Sequence, residues 1–168
     1  MSKPQKERLK LHKTSIDLDS ETREQVVALL NQQLADTFDL YSQTKQAHWN
    51  VKGMHFIQLH ELFDQLATGL LPHVDDIAER VTTLGGTAMG TARMAAGASL
   101  LPEYSADTIG SRESVEALIK RYAALAASTR AAIDTADDLG DADTADLFTA
   151  VSRELDKSLW FLEAHVQA

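Results

Sequence analysis

Residues 85–110, GGTAMGTARMAAGASLLPEYSADTIG, decide how the rest of the chain is read. This run of 26 residues divides two pairs of helical segments and is far too long for a tight turn. Ahead of it, a first segment opens at Ser20, read as an N-cap before Glu21 and Glu24. It carries Val27, Leu30, Leu34, Phe38 and Tyr41 at three- and four-residue spacing to about Trp49. A second segment, about 55–83, places Leu59, Phe63, Leu66, Leu70, Val74, Ile77 and Val81 on one stripe and stops at Gly85-Gly86. Beyond the run, a third segment starts near Ser111, carries Val115, Leu118, Ile119, Tyr122, Leu125 and Ile133, and ends around Leu139-Gly140. A fourth starts near Asp143, with Asp146 at the capping-box position, and carries Leu147, Val151, Leu155, Leu159 and Leu162.

Short joins within each pair make two antiparallel hairpins, so the 85–110 run must travel the length of the assembly to connect them. The expected fold is therefore all-α: a four-helix bundle with one long crossover, the ferritin-like arrangement. The stretch 94–99, MAAGAS, is expected to form a short helix within the crossover. Pro72 falls inside the second helix, where it should kink the axis or leave a carbonyl unpaired.

The chain has 168 residues, a net charge of −9 and no cysteine. That length supports one domain with its own core. Zero cysteine excludes Fe–S clusters, thiolate nucleophiles and Cys-type zinc sites, so any metal must sit on histidine and carboxylate. No apolar run approaches the roughly 20 residues of a membrane span. The opening MSKPQKERLKLHKT is charged and lacks the apolar centre of a signal peptide, which gives a cytoplasmic expectation. Those first 14 residues hold Lys3, Lys6, Arg8, Lys10 and Lys13 against Glu7, or 5 − 1 = +4, leaving −9 − 4 = −13 on the remainder. The expected organisation is a basic flexible tail at 1–14 and one bundle domain at 15–168. Within the acidic body, residues 134–146 carry six aspartates and no base.

The second helix carries His60, Asp64, Asp75 and Glu79. With His60 at 0°, Asp64 falls at about 40°, Asp75 at about 60° and Glu79 at about 100°, so all four share roughly one quadrant. Asp64 and Asp75 are nevertheless about 16 Å apart along the axis, against metal–ligand bonds of about 2 Å. The quadrant is also rotated about 130° from the apolar stripe. Two copies of the helix packed antiparallel across a two-fold would place His60 and Asp64 of one chain against Asp75 and Glu79 of its mate, twice over. His48 lies on the series Val27, Leu34, Tyr41, His48, which brings it beside the second helix. Two histidines and three carboxylates suit Fe(II) and also accept Zn, Mn or Co. Each part has a plainer explanation too: Asp75 and Glu79 as a solvated acidic face, His48 as a hydrogen-bonded core residue.

The segments TKQAHWNVKG (44–53), FIQLHELFD (56–64), VDDIAERVTTLGG (74–86) and TADLFTAVSRELDKSLWFLEAHV (144–166) resemble the Dps family, the ferritin-like DNA-protection proteins of starved bacteria. The resemblance runs from about residue 20 to the end. It implies a hollow dodecamer whose ferroxidase centres lie at dimer two-folds. Carried over by motif, His48, His60 and Asp64 of one subunit and Asp75 and Glu79 of its neighbour are catalytic metal ligands, with Trp49 beside them as an electron donor or as packing. The implied reaction is oxidation of two Fe(II), preferably by hydrogen peroxide, with ferric oxide stored in the cavity and DNA spared oxidative damage. Asp137 and Asp146, with Asp141 and Asp143 close by, resemble the lining of the pores through which iron enters, although helix capping also accounts for Asp143 and Asp146. The tail residues Lys3, Lys6, Arg8, Lys10 and Lys13 resemble the lysine-bearing tails through which some members bind DNA.

The competing expectation is a nucleoid-compacting DNA-binding protein for which iron is secondary. A monomeric di-iron oxygenase would need inward-facing ligands in the Glu plus Glu-x-x-His pattern, which this chain lacks.

Overall fold

The computed structural model describes residues 11–167 and contains five helices: α1 (Ser20–Asn50), α2 (Phe56–Thr83), α3 (Ala92–Ala98), α4 (Ser111–Asp138) and α5 (Ala142–Glu163). Helix α1 packs along α2 and α4 along α5, the two hairpins expected from the short joins. The crossover returns along α1 and carries α3 against it. The fold is the all-α bundle with one long crossover, and no strand occurs among the described residues. No helix there is long and apolar enough to cross a membrane.

One core runs through the bundle. It buries Leu30 and Leu34 of α1, Phe63 and Leu70 of α2, Leu118 and Tyr122 of α4, and Phe148 and Leu155 of α5. The α1 stripe departs from the expected one in its second half: Leu40 is buried, while Phe38 and Tyr41 stay half-buried. The cause is that α1 is covered on two sides. Toward the crossover it presents polar groups instead: the buried Asp36 accepts from the Leu100 amide at 2.7 Å, and the half-buried Asp39 accepts from the Ser99 hydroxyl at 2.6 Å. Arg121 of α4 fastens the same seam through Gln43 and the Glu103 carbonyl.

Two helix starts differ from expectation. Asp19, not Ser20, caps α1 by accepting from the Thr22 amide at 2.9 Å. Asp141, not a residue at Asp143, caps α5, accepting from the Thr144 amide at 3.1 Å and hydroxyl at 2.6 Å. In both, the carboxylate three residues before a threonine wins because it reaches both amide and hydroxyl. The crossover helix begins at Ala92, capped by Thr91, two residues ahead of the expected stretch.

Helix α2 runs unbroken through Pro72. Pro72 and Thr68, whose carbonyl loses its donor, are both exposed, so the freed carbonyl lies on the solvent side. Of the tail expected at 1–14, the described residues Leu11 and His12 are tied to the bundle. The His12 amide donates to the Gly85 carbonyl at 2.7 Å, and Leu11, Ile16 and Leu18 pack on the core. Arg23 clasps this strap through the Leu18 carbonyl at 3.2 Å and α2 through the Leu84 carbonyl at 3.0 Å. Gly85, at φ +84°, is required for it: a Cβ there would stand 2.5 Å from the His12 oxygen.

Candidate metal centre

The histidine half of the site forms where α1 ends beside the start of α2. His48 and His60 stack with ring centroids 3.8 Å apart and planes 20° apart. Nδ1 of His48 lies 2.7 Å from the His60 carbonyl, and Nδ1 of His60 lies 2.8 Å from the His48 carbonyl. A carbonyl only accepts, so both rings carry their proton on Nδ1 and turn an Nε2 lone pair outward. That tautomer leaves Nε2 as the nitrogen able to bind a metal, fixed by the same kind of outer hydrogen bond that orients ligands in metal sites. His48 is buried and His60 half-buried, so both orientations are also enforced by packing.

Asp64 follows one turn after His60, with its Oδ1 3.9 Å from His48 Nε2. The same oxygen accepts from Lys45 Nζ at 2.6 Å. This hydrogen bond, with the nearby positive charge, holds the Asp64 carboxyl below the usual carboxylate range. The Lys45 ammonium also lies 5.5 Å from the ring centroid of Trp49, which is 64% exposed. Sequence reasoning missed Lys45. The available signal was its place three residues before His48, one turn away on the same face.

Asp75 and Glu79 are exposed at the other end of α2, and their carboxylates have no hydrogen-bonding or ionic partner among the described residues. Within one chain, no group of three or more His, Asp or Glu among the described residues is poised to enclose a metal. The chain therefore carries a histidine half and an acidic half about 16 Å apart on one helix, with the donor types of a nitrogen-and-oxygen transition-metal site.

The aspartate-rich junction divides. Asp137, Asp143 and Asp146 are exposed. Asp141 is 2% exposed and accepts from Arg80 Nη2 at 2.7 Å while capping α5. It is committed to the interior and does not line an exposed channel, a correction to the grouping of the four. Arg80 is the second residue missed, since it approaches Asp141 from 61 positions away. Of the tail cations, Lys13 is exposed, whereas Lys3, Lys6, Arg8 and Lys10 lie outside the described residues. Of the other histidines, His12 lies in the strap before α1, His55 stands at the start of α2, His73 in a groove with Asp76 and Glu79, and the His165 ring lies 2.7 Å from the Phe161 carbonyl.

Fold and donor set together define a class of protein: residues 27–168 match the ferritin-like domain family. The chain is 51% identical to a DNA protection during starvation protein of Agrobacterium fabrum, over 95% of this chain and 98% of that one. DpsA14 from Streptomyces coelicolor superposes with a TM-score of 0.90 at 30% identity, covering 96% of this chain and 95% of that one. A Dps protein from Vibrio cholerae, described as a member of a broad superfamily of ferritin-like diiron-carboxylate proteins, gives 0.86 at 29% identity, covering 94% and 99%. Within the ferritin-like class, the chain belongs to the Dps family, the DNA-protection-during-starvation proteins.

Proposed function

We propose that this protein is a ferroxidase and iron store: it takes Fe(II) as substrate, oxidises it preferably with hydrogen peroxide, and holds the ferric product inside a cage of twelve copies. The observation that carries the reading is the stacked pair His48 and His60, each bonded through Nδ1 to a main-chain carbonyl, with His48 Nε2 lying 3.9 Å from Asp64. His48, His60 and Asp64 of one copy, facing Asp75 and Glu79 of a two-fold mate, form the five-ligand site. An antiparallel pairing of α2 with itself brings the halves together and makes two such sites.

Two Fe(II) give two electrons to one hydrogen peroxide, which takes up two protons and leaves as two waters. No hydroxyl radical is released on that route, which accounts for protection of DNA. The chain's own contribution is electrostatic and geometric. Three carboxylates place negative charge beside the metals and favour the ferric product, and the two imidazoles are oriented before the substrate arrives. The exposed Asp137, Asp143 and Asp146 would focus negative potential where α4 meets α5 and draw Fe(II) inward. With peroxide and iron handled together, the chain is expected to act in the cytoplasm.

The reading is tested on metal-free protein by following Fe(II) oxidation with peroxide. The double variant His60→Ala, Asp64→Ala should lose at least the roughly 10- to 100-fold that changes to outer partners of ligands alone cost. Equal rates for parent and variant would sink the proposal.

A direct DNA role rests on a different observation, the +4 of residues 1–14, offset by a body of −13. Multivalent tails bind phosphate with strong salt dependence. A gel shift at low salt that disappears without residues 1–10 supports this role, and unchanged DNA mobility with the full chain removes it.

A further inference from the structure

The end of α1 holds the His60 ring through one carbonyl, that of His48. Continued by one residue, α1 would return the Lys52 amide to the His48 carbonyl in the i to i−4 pattern. Instead that amide donates to the Ile109 carbonyl at 2.8 Å, and Lys52 pairs with Gly110 in an isolated parallel bridge. The Ser111 hydroxyl completes the hold by donating to the Lys52 carbonyl at 2.7 Å. The His48 carbonyl, left without a helical donor, takes the Nδ1 proton of His60. Gly53 fits this arrangement closely: at φ +117° it adopts a conformation L side chains avoid, and a Cβ there would stand 2.8 Å from the Ser111 Oγ.

We propose that Ser111, at the first turn of α4 and outside the ligand set, is a positioning residue for the histidine half: by holding Lys52 it keeps the His48 carbonyl turned to α2, where it fixes the tautomer and ring of His60. This rests on the ferroxidase reading for its functional consequence but not for its structural one. The hold is long-range, joining residues 52 and 111 across the whole crossover, so the second hairpin participates in aligning ligands that belong to the first. A carbonyl competed for by Lys52 gives His60 a weaker orienting bond and lets its proton move to Nε2, the atom a metal must use.

Two readouts separate the structural step from its consequence. In metal-free protein labelled with 15N-histidine, solid-state 15N shifts distinguish Nδ1–H from Nε2–H, with His48 and His60 assigned through single His→Gln variants. Co(II) binding, followed by its visible absorption, reports affinity without turnover. Ser111→Ala should give His60 a mixed tautomer and weaken Co(II) about tenfold, and Ser111→Thr, which keeps the hydroxyl, should restore both. Gly53→Ala, which crowds the same hydroxyl, should act like Ser111→Ala. A Ser111→Ala protein with an unmixed Nδ1–H His60 and Co(II) affinity within twofold of the parent overturns the proposal. A parent that binds no Co(II), alongside a tautomer change in Ser111→Ala, keeps the positioning role and sinks the ferroxidase reading instead.

Discussion

The two ends of α2 are built on opposite plans. At the start, His60 is stacked on His48 and hydrogen-bonded to a main-chain carbonyl, and Asp64 is paired with Lys45. About one and two turns beyond Pro72, Asp75 and Glu79 extend from an exposed face with no partner among the described residues. One end is oriented before any metal arrives; the other has side chains free to move and is held only through its backbone. The difference suits a site divided between molecules. On the proposed reading, a rigid pair of nitrogens would set the position of the metal, and flexible carboxylates from a mate would adjust to it, as hard oxygen ligands with broad angular tolerance are able to do.

The largest effect expected from that division is complementation. His60→Ala removes the oriented end and Glu79→Ala the free end, so particles of either variant alone should oxidise Fe(II) slowly. In randomly co-assembled particles, half of the two-fold pairs are mixed and one of the two sites in each is intact, restoring about a quarter of the sites. Peroxide-dependent oxidation by particles carrying both subunits, isolated through two affinity tags, reads this directly. Activity no higher than that of either variant breaks the intersubunit arrangement and returns each end of α2 to a separate role.

A second prediction tests how the free end is held. Arg80, next to Glu79, turns to the buried Asp141 at 2.7 Å and lies 3.9 Å from the exposed Asp143. Asp141→Ala takes the close carboxylate from a largely enclosed guanidinium, leaving it the Thr144 hydroxyl and the more distant Asp143, and removes the α5 cap, which should cost about 3 kcal/mol or more. Asp143→Ala, at a solvated carboxylate, should change stability by less than about 0.5 kcal/mol. Urea unfolding at one fixed protein concentration separates them, since assembly makes stability depend on concentration. Equal losses would mean that the junction works as an undivided acidic cluster and that Arg80 anchors nothing.

These contrasts also mark where the sequence was readable. Apolar spacing, with Gly85-Gly86 and Gly140 as stops, located four long helices and their hairpins, and the wheel positions of His60, Asp64, Asp75 and Glu79 followed from 3.6 residues per turn. Caps were displaced because Ser20 and Asp143 are as good at capping as Asp19 and Asp141; only the reach to Thr22 and Thr144 distinguishes them. Asp141 could not be told from its five acidic neighbours, since the group that buries it stands on α2. The reciprocal bonds of His48 and His60 were unreadable for a related reason: each ring is held by a main-chain carbonyl, which leaves no residue-type signature.

The smallest effect concerns the lysine at the oriented end. Lys45 sits on the oxygen of Asp64 nearest His48, so a divalent cation binding there must displace an ammonium. Both groups reach solvent, so the competition is weak, and Lys45→Met should tighten Co(II) binding only about twofold to fivefold, more at low salt than at high. The sign of the accompanying pH effect follows from the direction of the Asp64 shift. Lys45 lowers the Asp64 pKa by favouring the ionised form, so the pair's contribution to stability is present above the ordinary carboxylate value and is lost as pH falls through the depressed one. In Lys45→Met the carboxyl should protonate closer to the ordinary value. Between the two values, the parent keeps Asp64 ionised but paired, whereas the variant begins to protonate it, and the advantage of the variant for metal should shrink as pH falls. Co(II) titrations across that window are the measurement. A variant that binds Co(II) more weakly than the parent at neutral pH would show instead that Lys45 is part of the rigid scaffold, holding Asp64 in place for the metal.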